Sequence, residues 1–404
     1  MNTNIIILAL CVVVMLSYLF NIISKKTRIP SVLWLLGTGI LLKQFGDAGY
    51  VSDSLISKLV EVLGTVGLII IILEAALDLH LERKKAFMIL QALISALIIL
   101  FASSFAIAFL INYWLQEPFD KCLIYATPLS IVSSAIVIPS IEMLTADKKE
   151  FITYEASFSD ILGILYFNYL IGADTGNASE IALYVGEMGI AIVFSVVISM
   201  FLIYLLGRLK LQVKFFLIFS VLIALYAFGK IVHLPALLII LFFGLFINNR
   251  QLFTRVPIFD RFMPQQERFQ QLEEQIKTIT LETSFLVRTF FFILFGYSIN
   301  LTKLVQQEVV IVGSFIVATL LLIRLIYLTY LNPKEKPLPE LFLMPRGLIT
   351  ILLFYNIPEK FRLMDFNNGI LFFVILVTSF MMMIGLYSVK PERRAEAFEA
   401  ENFD

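Results

Sequence analysis

Seven ionisable side chains interrupt the apolar runs of this 404-residue chain: Glu74, Asp78, Glu155, Asp160, Arg288, Arg324 and Arg346. An ionisable group at mid-membrane costs about 2.5–3.5 kcal/mol on insertion scales, so those retained are functional candidates by default. Asp78 and Arg288 fall near the ends of their runs, where reaching the interface is cheap. The informative stretch is Tyr154-Glu155-Ala156-Ser157-Phe158-Ser159-Asp160-Ile161-Leu162-Gly163. Residues five apart on a helix differ by about 140° in azimuth and about 7.5 Å in height. Glu155 and Asp160 therefore cannot easily share one partner. Burial disfavours a bare carboxylate, which calls for a cation or a proton. The apolar runs hold arginines enough for Glu155 but leave one acid without a fixed counter-charge. That unmatched acid is a candidate proton or metal-cation site. The competing reading is that arginines neutralise both carboxylates as structural glue.

A second stretch could supply oxygen ligands. Residues 126–139 read Ala-Thr-Pro-Leu-Ser-Ile-Val-Ser-Ser-Ala-Ile-Val-Ile-Pro. A proline inside a helix displaces the carbonyl four residues earlier, so Pro128 frees the carbonyl of Ile124 and Pro139 that of Ala135. Non-helical backbone at membrane depth survives only where protein or a water-filled cavity satisfies it. With Thr127, Ser130, Ser133 and Ser134 nearby, the oxygens suit a hard cation. Pro345-Arg346-Gly347, with Pro358 further on, marks a second interrupted stretch.

The elements that must hold these residues follow from composition. The chain is 59% hydrophobic and 15% charged, against about 45–50% and 25% in soluble domains. Net charge is zero, which excludes the basic excess of a nucleic-acid binder. Both cysteines, Cys11 and Cys122, sit in apolar runs, so no disulfide framework is expected. This pattern is an all-α polytopic membrane protein. A crossing helix needs about 20 mostly apolar residues, and the candidate spans are 5–23, 30–42, 55–79, 87–112, 122–144, 151–172, 181–206, 215–228, 232–248, 283–299, 308–330, 341–357 and 369–389. The first lacks a basic leader and a small-x-small cleavage site, so it reads as a retained span.

Connections holding Lys25, Arg83, Lys148, Arg208, Arg255, Lys334, Lys390 and their basic neighbours outweigh the alternate set (Lys43, Lys58, Lys121, Lys230, Lys303, Lys360, Arg362) roughly three to one, which places the N-terminus outside and the C-terminus in the cytoplasm. An odd number of spans is needed for that alternation, consistent with thirteen. Within the longest connection, 249–282, the spacing of Phe262, Phe269, Leu272, Ile276 and Ile279 suits an amphipathic helix lying at the interface, in a linker between two halves. Spans one to six (1–180) and eight to thirteen (207–389) form two six-helix sets of opposite orientation, joined by a seventh span (181–206), with a short cytoplasmic tail (390–404). The interrupted spans five and twelve correspond. Secondary transporters with inverted repeats place their sites at midplane, where such broken helices meet. Short loops suggest a bacterial inner membrane.

These residues resemble the cation–proton antiporter superfamily, in its sodium/proton exchanger branch. The similarity runs from Ile29-Pro30 to the last span. It includes Leu73-Glu74-Ala75-Ala76-Leu77-Asp78-Leu79, the Glu155–Asp160 stretch, Phe291-Phe292-Ile293-Leu294-Phe295-Gly296 and Pro345-Arg346-Gly347-Leu348. The resemblance implies that Asp160 binds cation and proton alternately. Ser159 and Thr127 stand at neighbouring site positions, and Ser157 joins them as a candidate ligand. It also implies that Glu155 pairs with Arg324, and that Glu74 and Arg346 support the site as an ion pair beside Pro128 and Pro139. It further implies crossed discontinuous helices, a dimerisation domain, an elevator-type core and a homodimer, in a protein of pH homeostasis.

Two departures stand out. Thr127 is followed directly by Pro128, without the family's intervening Asp, and Ser159 replaces the usual Asn. The expected activity is exchange of a monovalent cation, Na⁺ first and K⁺ or Li⁺ otherwise, for a proton, electroneutral and 1:1, with no cofactor. The missing Asp motivates an alternative: a membrane sensor or effector that keeps the fold and transports little. An intramembrane hydrolase is disfavoured, because no His-Glu-x-x-His motif exists and His80 and His233 lie in different spans.

Overall fold

The computed structural model describes residues 3–27, 29–45, 53–141, 144–172, 178–208, 215–231, 236–249, 266–299, 301–331 and 338–388. The tail 390–404, Phe262 and His233 lie outside them. Every regular element among the described residues is helical. In chain order these are α1 (Thr3–Thr27), α2 (Ser31–Phe45), α3 (Asp53–Asp78), α4 (Ala86–Leu115), α5 (Phe119–Ser130), α6 (Ser134–Val137), α7 (Ala146–Gly172), α8 (Ala178–Arg208), α9 (Phe215–Ile231) and α10 (Ala236–Asn248). They continue as α11 (Gln266–Ser298), α12 (Leu301–Leu304), α13 (Gln307–Leu331), α14 (Leu348–Tyr355) and α15 (Gly369–Tyr387).

Among the described residues, five stretches are long and apolar enough to cross a membrane: Ala86–Leu115, Phe119–Ser140, Glu273–Ser298, Gln307–Tyr330 and Gly369–Tyr387. Helix α4 shows why they suit lipid. Ala92, Ser95, Ala96, Ile99, Ser103 and Ile107 face inward, while Phe87, Leu90, Ile94, Ile98, Phe101, Phe105 and Phe109 stay exposed at helical spacing. An outward face of large apolar side chains is the reverse of a soluble helix. The segment expected as span six, α7, is long enough but too polar to join these five. It buries Glu155, Ser157, Ser159 and Asp160 instead of exposing them.

Two sequence expectations change here. Span five does not open at Pro128, and Pro139 sits in the 3₁₀ turn Ile138–Ser140 that follows α6. Pro128 lies inside α5, which continues to Ser130, and the chain leaves helical geometry at Ile131 (φ −77°, ψ 128°) and Ser133 (φ −82°, ψ 110°). The expected interfacial helix in 249–282 is, over its described part, the start of α11. That helix runs unbroken for 33 residues, about 50 Å at 1.5 Å per residue. Phe269 and Ile276 are buried, so they pack against protein. No proline or glycine falls between Gln266 and Phe295 to interrupt it.

The chain forms two compact units. One comprises Met1–Val62, Phe87–Ile171 and Arg288–Asp404. In it α13 packs on α15 and α5 on α14. Tyr125, Phe354 and Phe366 form an aromatic knot with ring centroids 4.8–5.6 Å apart, and the Tyr125 hydroxyl accepts from the Leu363 N–H at 3.0 Å. The other unit comprises Leu63–Ala86 and Gly172–Val287, with α10 packed on α8 and α9. There the Asn249 amide closes the end of α3, accepting from Leu81 N–H at 2.6 Å and donating to Leu79 O at 2.8 Å.

In the first unit α2 and the end of α11 approach backbone to backbone. A Cβ at Gly39 would meet Ile293 O and Tyr297 N, and one at Gly296 would meet Leu36 O. Small residues at such crossings are what let membrane helices gain close packing. Gly296→Leu should therefore destabilise the protein by about 1–3 kcal/mol, the usual cost of overpacking. A lowered thermal midpoint in detergent would show it; an unchanged midpoint would mean the helices part without cost.

Candidate cation and proton site

Helix α7 carries the acids, and its neighbours approach it closely. A Cβ at Gly163, one turn beyond Asp160, would strike the Ile131 side chain. The non-helical stretch 131–133 thus lies directly on α7. Its orphaned backbone groups are satisfied by α7 side chains: Val132 N–H donates to Ser159 Oγ at 2.9 Å, and Ser134 N–H donates to Asp160 Oδ2 at 3.1 Å. The Ser134 hydroxyl also bonds Asp160 Oδ2. Asp160 is 1% exposed, so this carboxylate sits in the protein interior.

The second interrupted stretch meets the first. Ser133 N–H donates to Pro345 O at 3.0 Å. A Cβ at Gly347 would come 2.5 Å from Ser133 Oγ and 2.9 Å from Ser133 Cβ, so any larger residue would force the two stretches to shift. Span twelve is correspondingly shorter as helix than 341–357. Residues 343–347 are non-helical, and α14 begins at Leu348.

Arg346 is 1% exposed and completes the junction. Its Nε donates to Leu129 O at 2.7 Å, one terminal nitrogen to Ser130 O at 3.3 Å and the other to Met344 O at 2.5 Å. The carbonyls of Leu129 and Ser130 end α5, where four oxygens lack helical partners and the dipole favours a cation. The guanidinium therefore caps a half-helix. Glu74 accepts a hydrogen bond from Ser284 Oγ within the other unit. The Arg346 N–H donates to Thr378 Oγ1 at 3.1 Å.

Glu155 faces a different neighbour. Its Oε2 lies 2.8 Å from an Arg324 terminal nitrogen, and its Oε1 accepts from Ser95 Oγ at 2.5 Å. Glu155 is 3% and Arg324 2% exposed. The pair is buried, and Arg324 Nε also donates to Glu340 O at 2.7 Å. Of the other candidate ligands, Thr127 donates its hydroxyl hydrogen to Leu123 O at 2.8 Å, leaving its oxygen lone pairs. Ser157 is fully buried, and its hydroxyl has no hydrogen-bond partner.

Sequence reasoning did not single out Ser95, Glu340 or Thr378. Ser95 was one serine among several in an apolar run, and Glu340 follows a Lys- and Pro-rich connection that reads as loop.

A protein built on crossed broken helices with a buried carboxylate at the crossing belongs among ion-translocating membrane proteins. The chain is a member of the sodium/hydrogen exchanger family, whose transmembrane region matches residues 11–388. It is thus an integral membrane transporter of a cation/proton antiport family and not an enzyme. Its fold is similar to that of the sodium proton antiporter MjNhaP1 from Methanocaldococcus jannaschii. The structure of that protein at pH 8 aligns with a TM-score of 0.70 and 18% identity, over 96% of this chain and 99% of the other. A structure from electron microscopy of the same antiporter gives 0.66 and 19%, over 99% and 97%. No curated protein matches the chain by sequence.

Removing one partner of a buried ion pair costs about 3–5 kcal/mol, whereas replacing both by apolar groups is often neutral. Arg324→Leu should therefore lower the thermal midpoint sharply, and adding Glu155→Leu should recover most of the loss. A double variant no more stable than Arg324→Leu would contradict a pairwise role.

Proposed function

We propose that this protein exchanges a monovalent cation for a proton at Asp160, one for one and without net charge movement, with Na⁺ as the first candidate and K⁺ or Li⁺ as the others. The observation that carries the reading is the buried Asp160 carboxylate beside the crossing. The Ser157 hydroxyl supports it, lying one helical turn away, buried and without a hydrogen-bond partner. Deprotonated Asp160 attracts a cation, and the hydroxyl oxygens of Ser157, Ser159 and Thr127 are hard ligands suited to it. Protonated Asp160 is neutral and releases it. If only these two loaded states let the core move, a cation crosses in one direction for each proton in the other.

The charge balance follows from the fixed partners. Glu155 is matched by Arg324, and Arg346 donates to the carbonyls that end α5. The proton-loaded and cation-loaded forms then carry equal charge. The rate should pass through an optimum in pH, because excess protons exclude the cation and scarce protons stall the return.

The same reading includes thirteen crossings in two inverted repeats (1–180 and 207–389) around a linking span (181–206). It also includes a dimerisation domain with an elevator-type core, a homodimer, and a bacterial inner membrane with the N-terminus outside. The role would be pH homeostasis.

Purified protein in liposomes with an internal pH dye tests the reading. Outside Na⁺, K⁺ or Li⁺ should drive proton efflux that Asp160→Asn abolishes, and the efflux should be insensitive to a clamped membrane potential. Turnover that scales with the potential would contradict electroneutrality. Flux unchanged in Asp160→Asn would place the site on another carboxylate. No flux with any of the three ions would favour the sensor or effector reading.

A further inference from the structure

The ion pair of Glu155 and Arg324 is itself held from a second point on α7. Arg324 Nε donates to the backbone oxygen of Glu340, in the 3₁₀ turn Glu340–Phe342 that leads into the second interrupted stretch. The carboxylate of the same residue bonds Lys148 Nζ in the first turn of α7. Lys148 and Glu155 are seven apart, so they lie two turns apart on one helix face, separated by about 10 Å. Glu340 thus touches that face twice, through its side chain at Lys148 and through its carbonyl and Arg324 at Glu155. The four groups close a ring with balanced charge.

Two features show that this ring is more than a surface contact. The side chains of Lys148 and Glu340 are only 18% and 12% exposed. Glu340 Oε2 is buried with no hydrogen-bond partner, and the lysine on Oε1 compensates the carboxylate's charge. Lys148 also lies in the first turn of α7, where the helix dipole disfavours a cation. An acidic neighbour offsets that.

We infer that Lys148 and Glu340 are positioning residues for the exchange site. They fix the segment that carries Arg346 to the helix that carries Asp160, and so set the geometry of the crossing at which the cation binds. The inference rests on the exchange reading above and names residues outside the ion-binding set. Neither group touches the cation; both act through Arg324 and the backbone of 340–347.

The test uses the full chain, with Lys148→Gln, Glu340→Gln and the charge exchange Lys148→Glu/Glu340→Lys. In proteoliposomes each single variant should raise the half-saturating Na⁺ concentration about tenfold, the lower end of what loss of an outer-shell partner costs a metal site, while the maximal rate is retained. The charge exchange should restore it. Half-saturation unchanged in both single variants, or a charge exchange no better than either, overturns the inference. Thermal unfolding in detergent separates this from failure of the exchange reading. If the unsubstituted protein moves no protons with any cation, exchange fails as a reading, and recovery by the double variant of a midpoint lost in the single variants still upholds the clamp. Without that recovery the clamp falls as well.

Discussion

Two stretches of backbone, 131–133 and 343–347, leave helical geometry inside the protein and cross there. A buried backbone group left without a partner costs about 1–3 kcal/mol. The positions of the polar side chains around the crossing answer that demand. Ser159 takes the Val132 N–H, Asp160 takes the Ser134 N–H, and Pro345 O takes the Ser133 N–H. Arg346 takes the carbonyls at the end of α5, and Thr378 takes the Arg346 N–H. Two of the candidate cation ligands, Ser159 and Asp160, therefore also satisfy the backbone of the crossing.

This shared duty has a chemical consequence. Asp160 has one oxygen held by donors from the break, so it is fixed in place before any cation arrives. Preorganised donors and charges in a site of low dielectric act more strongly than the same groups in water. The other buried charges divide their partners: Glu155 pairs with Arg324, and Arg346 meets helix-end carbonyls. The absent Asp before Pro128 fits this division, since Arg346 already meets the carbonyl end of α5.

Much of this was legible in the sequence, for a simple reason. A charge inside an apolar run is conspicuous, so Asp160, Glu155, Arg324 and Arg346 could be selected before any coordinates. The prolines pointed to the right span, yet the break lies between them: Pro128 is accommodated within α5, and the crossing partner decides where the chain opens. Which arginine meets Glu155 rested on family resemblance, because spacing along one helix does not identify a residue on another. The partners of Arg346 could not be read at all. They are backbone oxygens brought together by tertiary contact, and sequence patterns mark side chains. Glu340 escaped for the same reason. Its carbonyl matters as much as its carboxylate, and its surroundings read as a charged loop. The amphipathic spacing around Phe269 and Ile276 marks a helix, but these two residues are buried within the long α11, while Ile279 stays exposed.

The central claim is that proton and cation compete for one carboxylate. It is tested most directly by counting protons when the cation binds, without any transport. Protein in weakly buffered detergent solution is titrated with NaCl, LiCl or KCl, with choline chloride as the control, across a series of starting pH values. The account predicts acidification that approaches one proton per bound cation at low starting pH, declines as the pH rises, and vanishes in Asp160→Asn. Cation binding that releases no proton at any pH, or release that persists undiminished in Asp160→Asn, would contradict it.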